Sequence, residues 1–310
     1  MDVLAGDIGG TNARLAIVNQ RQILIKRTYR SSDFPDFLAL LDTFFSEISI
    51  SLPKRACFGI AGTIKECVAT GVNLPWKVDG LQIKSHFNFE KVKIINDFAA
   101  AALGVLQIGP EWLIQIGAGK SEPDSNKAVI GPGTGLGEAM LVALHNGNYK
   151  VLETEGGHCD FAPSSQEDVK LLQFLWDRFG HVSYERILSG PGLINIYNFF
   201  TQQNHNINAA DITKAAKTGS DQSAIKTLDI FCRALGAEAG NLALKGLAKG
   251  GVYITGGIAP HIVELLAHGP FRSGFENKGR LAPILKDIPT YVVTNKDIGL
   301  LGAAAKALEL

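Results

Sequence analysis

The sequence predicts an α/β protein whose fold is built twice on mixed sheets, and three observations lead there. The first third alternates strand and helix patterns, with two adjacent hairpins followed by a crossover helix, an order that gives a mixed sheet. A second set of strand patterns starts past residue 107. A Gly/Thr-rich hairpin also occurs in each half, as GDIGGTNARLAIV at residues 6–18 and VIGPGTGLGEAMLV at residues 129–142. One such loop arises by chance; a pair with a Thr in each points to a duplicated fold with facing halves.

Taken in order, the patterns place strands at 2–6, 13–19 and 21–29, a helix at 35–49, strands at 55–62, 66–72 and 92–96, and a helix at 98–106. Strands then recur near 111–116, 127–131, 138–144 and 149–154, ahead of a mostly helical stretch over 165–248. Strands at 251–256 and 289–294 and a last helix at 298–309 close the chain. No Pro/Ser-rich linker separates the halves, and the boundary near 107–110 rests on Gly109-Pro110 and the restart of the strand pattern.

The opening hairpin carries more turn residues than a turn needs. Val3-Leu4-Ala5 precedes it and Leu15-Ala16-Ile17-Val18 follows. An ordinary hairpin asks for one or two Gly or Asn residues at positive φ, yet Asp7, Gly9, Gly10, Thr11 and Asn12 all cluster here. The surplus predicts that something approaches the backbone closely. Either loop alone reads most simply as a tight turn. As a pair, Gly-rich hairpins can present N–H groups and Thr hydroxyls to a row of phosphates. Gly117-Ala118-Gly119-Lys120-Ser121 imitates the end of a P-loop, but the Walker pattern needs a further Gly where Ile114 stands, so it reads as a solvated loop.

Bulk composition narrows the classes. The chain has 310 residues, 46% hydrophobic and 19% charged, with 30 basic residues against 30 acidic ones. That suits a globular protein without a long-range field for nucleic acid or an anionic membrane. The 34 glycines are about 11% of the chain against a usual ~7%, and their clustering marks special loops. Cys57, Cys67, Cys159 and Cys232 form no CxxC, so reduced thiols are expected rather than a disulfide framework. The N-terminus lacks the basic start and apolar run of a signal peptide. The apolar segment 225–248 is broken by Lys226, Asp229, Arg233, Glu238 and Lys245, which makes it a buried amphipathic helix and not a membrane span.

The remaining polar motifs suit a neutral, polyhydroxylated ligand. VKIINDFAAAALG at 92–104 puts Asn96-Asp97 at the end of an apolar strand, where open α/β sheets bind ligands. Read alone, Asp97 is a helix N-cap. ETEGGHCDFAP at 153–163 brings Glu155 and His158 around two glycines, HVSYERILSGPG at 181–192 supplies Glu185, and Asn73 precedes Leu74-Pro75-Trp76. Each carboxylate can accept from two neighbouring hydroxyls, and Asn donates and accepts at once. The bland readings are a solvated Glu185–Arg186 pair, a capping His158 and a packing Trp76. His158-Cys159-Asp160 has no other Cys or His at ligand spacing, so no zinc site is expected.

GDIGGTNARLA, IINDF, GPGTGLG, EGGHCDFAP, ERILSGPGL and VYITGGIAP occur in the order found in bacterial-type glucokinases, and the chain resembles that family over nearly its whole length, including the terminal GLLGAA. EGGH with DFAP, followed by ERILSGPGL, is the specific part. The resemblance implies a two-domain, duplicated ribonuclease H-like sugar kinase fold with mixed sheets and an interdomain cleft. Residues 1–107 would form the small domain, with helix 296–310 packing back on it, and 108–295 the large one.

The same resemblance implies ATP-dependent phosphorylation of glucose at its 6-hydroxyl, the first step of glycolysis, in a cytoplasmic homodimer. Asp97 would be the general base. Asn73, Asn96, Glu155, His158 and Glu185 would hold the sugar hydroxyls together with Asp97. Gly9, Gly10, Thr11, Asn12, Gly133 and Thr134 would surround the ATP phosphates, Asp7 would orient Mg²⁺ through water, and Gly256 and Gly257 would let adenosine lie against the backbone. Cys159 stands where a small apolar residue is expected. The alternatives are a kinase for another neutral hexose or phosphoryl donor, an actin-like or chaperone-like ATPase, and a sugar sensor without transfer activity.

Overall fold

The computed structural model describes residues 1–71, 74–204 and 206–310, with the side chain of His145 outside that description. The chain forms two compact units, residues 1–112 with 295–310 and residues 113–294.

In the first unit, β2 (Asn12–Asn19) runs antiparallel to both its neighbours, β1 (Asp2–Ile8) and β3 (Gln22–Arg30). Helix α1 (Phe37–Ser46) follows, with the Asp36 carboxylate accepting the Ala39 N–H at 2.8 Å as its cap. β4 (Arg55–Ile60) then returns parallel to β1 on its other side. Short strands β5 (Thr63–Lys65), β6 (Val68–Thr70) and β7 (Val78–Asp79) make a separate small sheet, which the sequence reading compressed into one strand at 66–72. Helix α2 (Gly80–His86), β8 (Lys91–Asn96) and α3 (Asp97–Val105) complete the unit, in the order β3-β2-β1-β4-β8. Leu4, Ile8, Leu15, Phe37, Phe44 and Phe58 fill its core.

The alanine richness of α3 has a packing cause. The C-terminal helix Ile298–Leu308 lies against it so closely that a Cβ at Gly302 would overlap the Ala100 carbonyl, and one at Gly104 would overlap the carbonyl of Ile298. Only small side chains admit that approach.

The second unit repeats the plan. β9 (Leu113–Ile116) is its far edge strand; β10 (Lys127–Pro132), β11 (Leu136–Ala143) and β12 (Tyr149–Thr154) form an antiparallel meander. β13 (Val252–Ile254) and β14 (Thr290–Val293) add parallel strands beside β10, giving the order β12-β11-β10-β13-β14-β9. Stripped of β9, this has the sequence of antiparallel and parallel pairings seen in the first unit. The duplication expected from the two hairpins is therefore a duplication of sheet topology.

Between β12 and β13 lie α4 (Gln166–Phe179), α5 (Gly190–Thr201), α6 (Ala209–Thr218) and α7 (Gln222–Gly246). Helix α7 meets the expectation of a buried amphipathic helix with one exception. Of its charged interruptions, Glu238 alone is in the core, 1% exposed. Short helices at Val263–His268, Phe271–Glu276 and Ala282–Asp287 were not apparent in the sequence. The second of them packs so near α7 that a Cβ at Gly236 would meet the Phe271 carbonyl. Among the described residues, no helix is long and apolar enough to cross a membrane.

Candidate active site

In the first unit, register collects the expected residues at one end of the sheet. Asp7 pairs with Gly59, Ile8 with Ile60, and Ile60 with Asn96, so Asp7 and Asn96-Asp97 stand together at the carboxyl ends of the parallel strands. Gly59 is required there, since a Cβ would come within 2.8 Å of Ala100 Cβ and 3.5 Å of Asp97 Cα.

The turn between β1 and β2 is pinned from the side. Gly9 N–H donates to the Asn12 carbonyl at 2.9 Å, Ser31 N–H to the Thr11 carbonyl at 3.0 Å, and Ser31 Oγ to the Gly9 carbonyl at 2.8 Å. Ser31 is fully buried, and no sequence motif pointed to it. Neither Gly9 nor Gly10 lies in the left-handed region. The glycines are thus not there for φ, and Thr11 and Asn12 are exposed at the tip.

Asp7 is coupled to Arg14, its partner in the hairpin register, through Nη1 to Oδ2 at 3.0 Å. Burial raises the Asp7 carboxyl above its ordinary range; Arg14 opposes that shift and Asp297 adds to it. Arg14 lies within the GDIGGTNARLA run, but its pairing with Asp7 depends on the β1–β2 register and not on the local motif. Asp7 fits a magnesium ion of the kind kinases use. Mg²⁺ keeps most of its water and takes one or two carboxylates together with substrate phosphates. A carboxylate beside the glycine turn meets that demand, and among the described residues no cluster of three His, Cys, Asp or Glu side chains could hold a metal ion unaided.

At the start of α3 the roles of two neighbours separate. Asn96 is the N-cap: its Oδ1 accepts the N–H of Phe98 at 2.8 Å and of Ala99 at 3.2 Å. The reading of Asp97 as the cap is therefore corrected. Asp97 is the first helical residue, half-buried, with Oδ1 accepting the Phe98 N–H at 2.9 Å. Asn73 lies outside the described residues. Trp76 is a packing residue as expected, 6% exposed, with its indole N–H donating to the Phe34 carbonyl at 2.9 Å.

In the second unit, Glu155 precedes and His158 ends a 3-10 turn over Gly156–His158, and both residues are exposed. Gly157 is buried beneath them, where a Cβ would collide with the Leu136 carbonyl. That backbone contact seats the turn on the second Gly-rich hairpin. Glu185 reaches the same hairpin from the other side. Its Oε2 accepts the Leu136 N–H at 2.9 Å, and a Cβ on Gly135 would strike that oxygen. Arg186 instead lies over the Phe179 ring, 4.2 Å from its centroid, so the solvated Glu185–Arg186 pair is set aside.

The hairpin turn itself is held by Gly133 N–H to the Gly135 carbonyl at 2.8 Å and by Gly190 N–H to the Gly133 carbonyl at 2.8 Å. Thr134 is exposed at its tip. Gly256 adopts φ +82°, and a Cβ there would meet the Pro132 carbonyl, so the strand end after β13 lies directly against the hairpin. A Cβ on Gly257 would meet nothing within 4 Å, and one on Gly133 only the Gly257 nitrogen at 3.9 Å. Two open glycine backbones therefore stand side by side, a surface that a flat ring or a phosphate can approach.

A model of the glucokinase family matches residues 4–310. The chain belongs to the glucokinase family. It is 39% identical to the glucokinase of Cronobacter sakazakii over 97% of this chain and 95% of that protein. It is 36% identical to the glucokinase of Nostoc punctiforme over 99% of each. In structure it is similar to a glucokinase from an Antarctic psychrotroph, with a TM-score of 0.90 at 36% identity, covering 100% of this chain and 99% of the other. As a glucokinase-family enzyme it phosphorylates glucose at the expense of ATP, and its fold is the two-domain sugar kinase fold. The Cys159 thiol is free and exposed, next to His158.

Proposed function

We propose that Asp97 is the general base for phosphoryl transfer from ATP to the 6-hydroxyl of D-glucose. What supports this is the division of labour at the start of α3. Asn96 supplies the cap, so a carboxylate at 97 is not needed to start the helix, yet one is held at the carboxyl end of β8. A carboxylate in that position suits proton removal from a bound hydroxyl.

The step balances simply. Sugar O6 bonds to the γ-phosphorus as the bond from that phosphorus to the β,γ-bridging oxygen breaks; ADP leaves, and the O6 proton passes to Asp97. In a loose transition state the proton can move late, so Asp97 serves chiefly to orient the hydroxyl. Asn96, through its amide N–H groups, and Glu155, His158 and Glu185 would hold the remaining hydroxyls. Gly9, Gly10, Thr11, Asn12, Gly133 and Thr134 would line the phosphates, and Gly256 and Gly257 would carry the adenosine. Asp7 would hold Mg²⁺ through water, and the ion would supply charge neutralisation on the phosphate oxygens. With glucose 6-phosphate as product, the reaction would be the entry step of glycolysis.

The test is ADP release from Mg-ATP with and without glucose, beside Asp97→Asn. Strong glucose dependence that falls on the order of 10²–10⁴-fold in kcat in the variant is the expected result. A variant within about twofold of wild type overturns the assignment of the base. Glucose binding without ADP release would turn the reading to another donor or to a sensor, and a panel of hexoses, ADP and polyphosphate separates those outcomes.

A further inference from the structure

Beneath the 156–158 turn, within the second unit, lies a buried acidic pair that the reaction scheme does not use. Glu138 on β11 is 2% exposed and Glu238 on α7 is 1% exposed. Neither Glu138 Oε1 nor Glu238 Oε1 has a hydrogen-bond partner. Burying a carboxyl oxygen without a hydrogen bond is costly, and two in one place call for an explanation, although Glu238 Oε1 has Lys245 nearby.

Their surroundings connect them to the sugar-site residues proposed above. The Glu138 side chain lies against Gly156, where a Cβ would strike its Oε2. The same strand position anchors the turn through backbone groups: Thr154 Oγ1 donates to the Glu138 carbonyl at 2.9 Å and accepts the Gly156 N–H at 3.3 Å. Gly156 sits between Glu155 and His158. On the other side, Glu238 Oε2 accepts from Asn241 Nδ2 at 2.8 Å, and Asn241 Nδ2 also donates to the Tyr184 phenol oxygen at 3.2 Å. Tyr184 immediately precedes Glu185, and its N–H donates to the Cys159 carbonyl at 3.0 Å.

We propose that Glu138 is a positioning residue for glucose, wedged under the Gly156–Gly157 turn and, with Glu238, setting the backbone that presents Glu155, His158 and Glu185. The proposal rests on the sugar-site assignment given above. Glu138 touches no substrate and acts through the turn above it.

The charge state of the pair follows from what faces it. Glu238 and Lys245 come from α7, with Lys245 Nζ 3.6 Å from Glu238 Oε1. Lys278 donates to Asn241 Oδ1 at 2.6 Å and to the Ala237 carbonyl at 2.8 Å. Tyr184 closes the cluster. Burial pushes the Glu138 carboxyl up to about 8, the charge of Glu238 adds to the shift, and Lys245 opposes it. Burial thus favours the protonated form of Glu138 at neutral pH, and its ionisation on the alkaline side would put a charge beneath the turn. Repulsion beneath the turn then displaces Gly156 and Gly157, and with them Glu155 and His158, more than the hairpin, whose backbone is held by the β10–β11 ladder on either side of Glu138.

The test is the KM for glucose and for ATP, from about pH 6 to about pH 9, in wild type, Glu138→Gln, Glu138→Ala and Glu238→Gln, with melting curves for each. Wild type should show a glucose KM that rises about fivefold or more on the alkaline side, with the ATP KM moving less than about twofold. Glu138→Gln, which mimics the neutral acid, should keep the neutral-pH glucose KM within about twofold and lose the alkaline rise. Glu238→Gln should move the rise to lower pH, because it removes the charge that adds to the effect of burial on Glu138. Glu138→Ala should raise the glucose KM about tenfold at every pH.

A flat wild-type profile, or a Glu138→Gln profile that superimposes on a rising wild-type one, overturns the proposal while leaving the glucose reading intact. A wild type that neither phosphorylates nor binds glucose overturns both.

Discussion

The carboxylate of Glu185 accepts the backbone N–H of Leu136 at 2.9 Å, directly over Gly135. A proposed sugar ligand is thereby bonded to the loop proposed to face the phosphates, so the two substrates would share one rigid support. Gly135 is what permits it. Gly135→Ala should push the carboxylate aside and break a hydrogen bond to a charged acceptor, worth about 1.5–3 kcal/mol. The expected result is a glucose KM raised roughly 10- to 100-fold, with a smaller effect on the ATP KM. Equal losses in both constants would show that the hairpin, rather than Glu185, had been damaged.

The separation of cap from base at 96–97 makes a second prediction. Asn96→Ala removes the oxygen that accepts from Phe98 and Ala99, and should cost about 1 kcal/mol of stability. Asn96→Ser restores a capping oxygen but not the amide donor. Its melting temperature should return towards wild type while its glucose KM stays high. Asp97→Asn, which keeps an acceptor for the Phe98 N–H, should melt like wild type. Melting curves on the three variants check this, and a large loss of stability in Asp97→Asn with none in Asn96→Ala would reverse the two roles.

Much of this was legible in the sequence because it is written in local patterns. The paired hairpins stand out in composition, and the strand-then-Asn-Asp order marks a sheet end without knowledge of the fold. Less legible were features that depend on what comes near from elsewhere in the chain. The three strands at 63–79 are too short for a period to show. Asp97 reads as a cap until the Asn96 side chain is seen to fill that role. Ser31 and Glu138 look like unremarkable residues of a turn and a strand; their meaning comes from Gly9 and Gly156, which are distant in sequence. Glu238 reads as one polar interruption of an amphipathic helix, although it points into the core.

Arg14 gives a third prediction, on the acid side. Burial holds the Asp7 carboxyl above its ordinary range, and the guanidinium of Arg14, 3.0 Å away, pulls it back down. The useful form of Asp7 is the carboxylate, which is lost as pH falls through its folded pKa. Arg14→Gln removes the opposing charge, so Asp7 should protonate at higher pH. The acid limb of kcat/KM for Mg-ATP should move to higher pH, and more Mg²⁺ should be needed at low pH. An acid limb that stays in place in the variant would mean that Asp7 does not govern it.

Glu138 also makes a prediction about stability that does not depend on catalysis. A glutamate in the unfolded chain titrates near ~4.3, whereas burial raises this one to about 8 in the fold. Below the unfolded value both states hold the proton, and the contribution of the group is fully present. As pH rises, the unfolded state releases its proton first, so stability drains away until the folded carboxyl ionises as well; above about 8 the loss from this group levels off. Glu138→Gln cannot titrate. Its stability relative to wild type should therefore climb from about pH 4 to about pH 8 and then flatten, by on the order of 5 kcal/mol in total. Denaturant unfolding of the two proteins across that range measures the difference directly. A gap that does not change with pH would mean that Glu138 is ionised throughout, with its charge compensated by Lys245, and the neutral-acid account of the pair would fall.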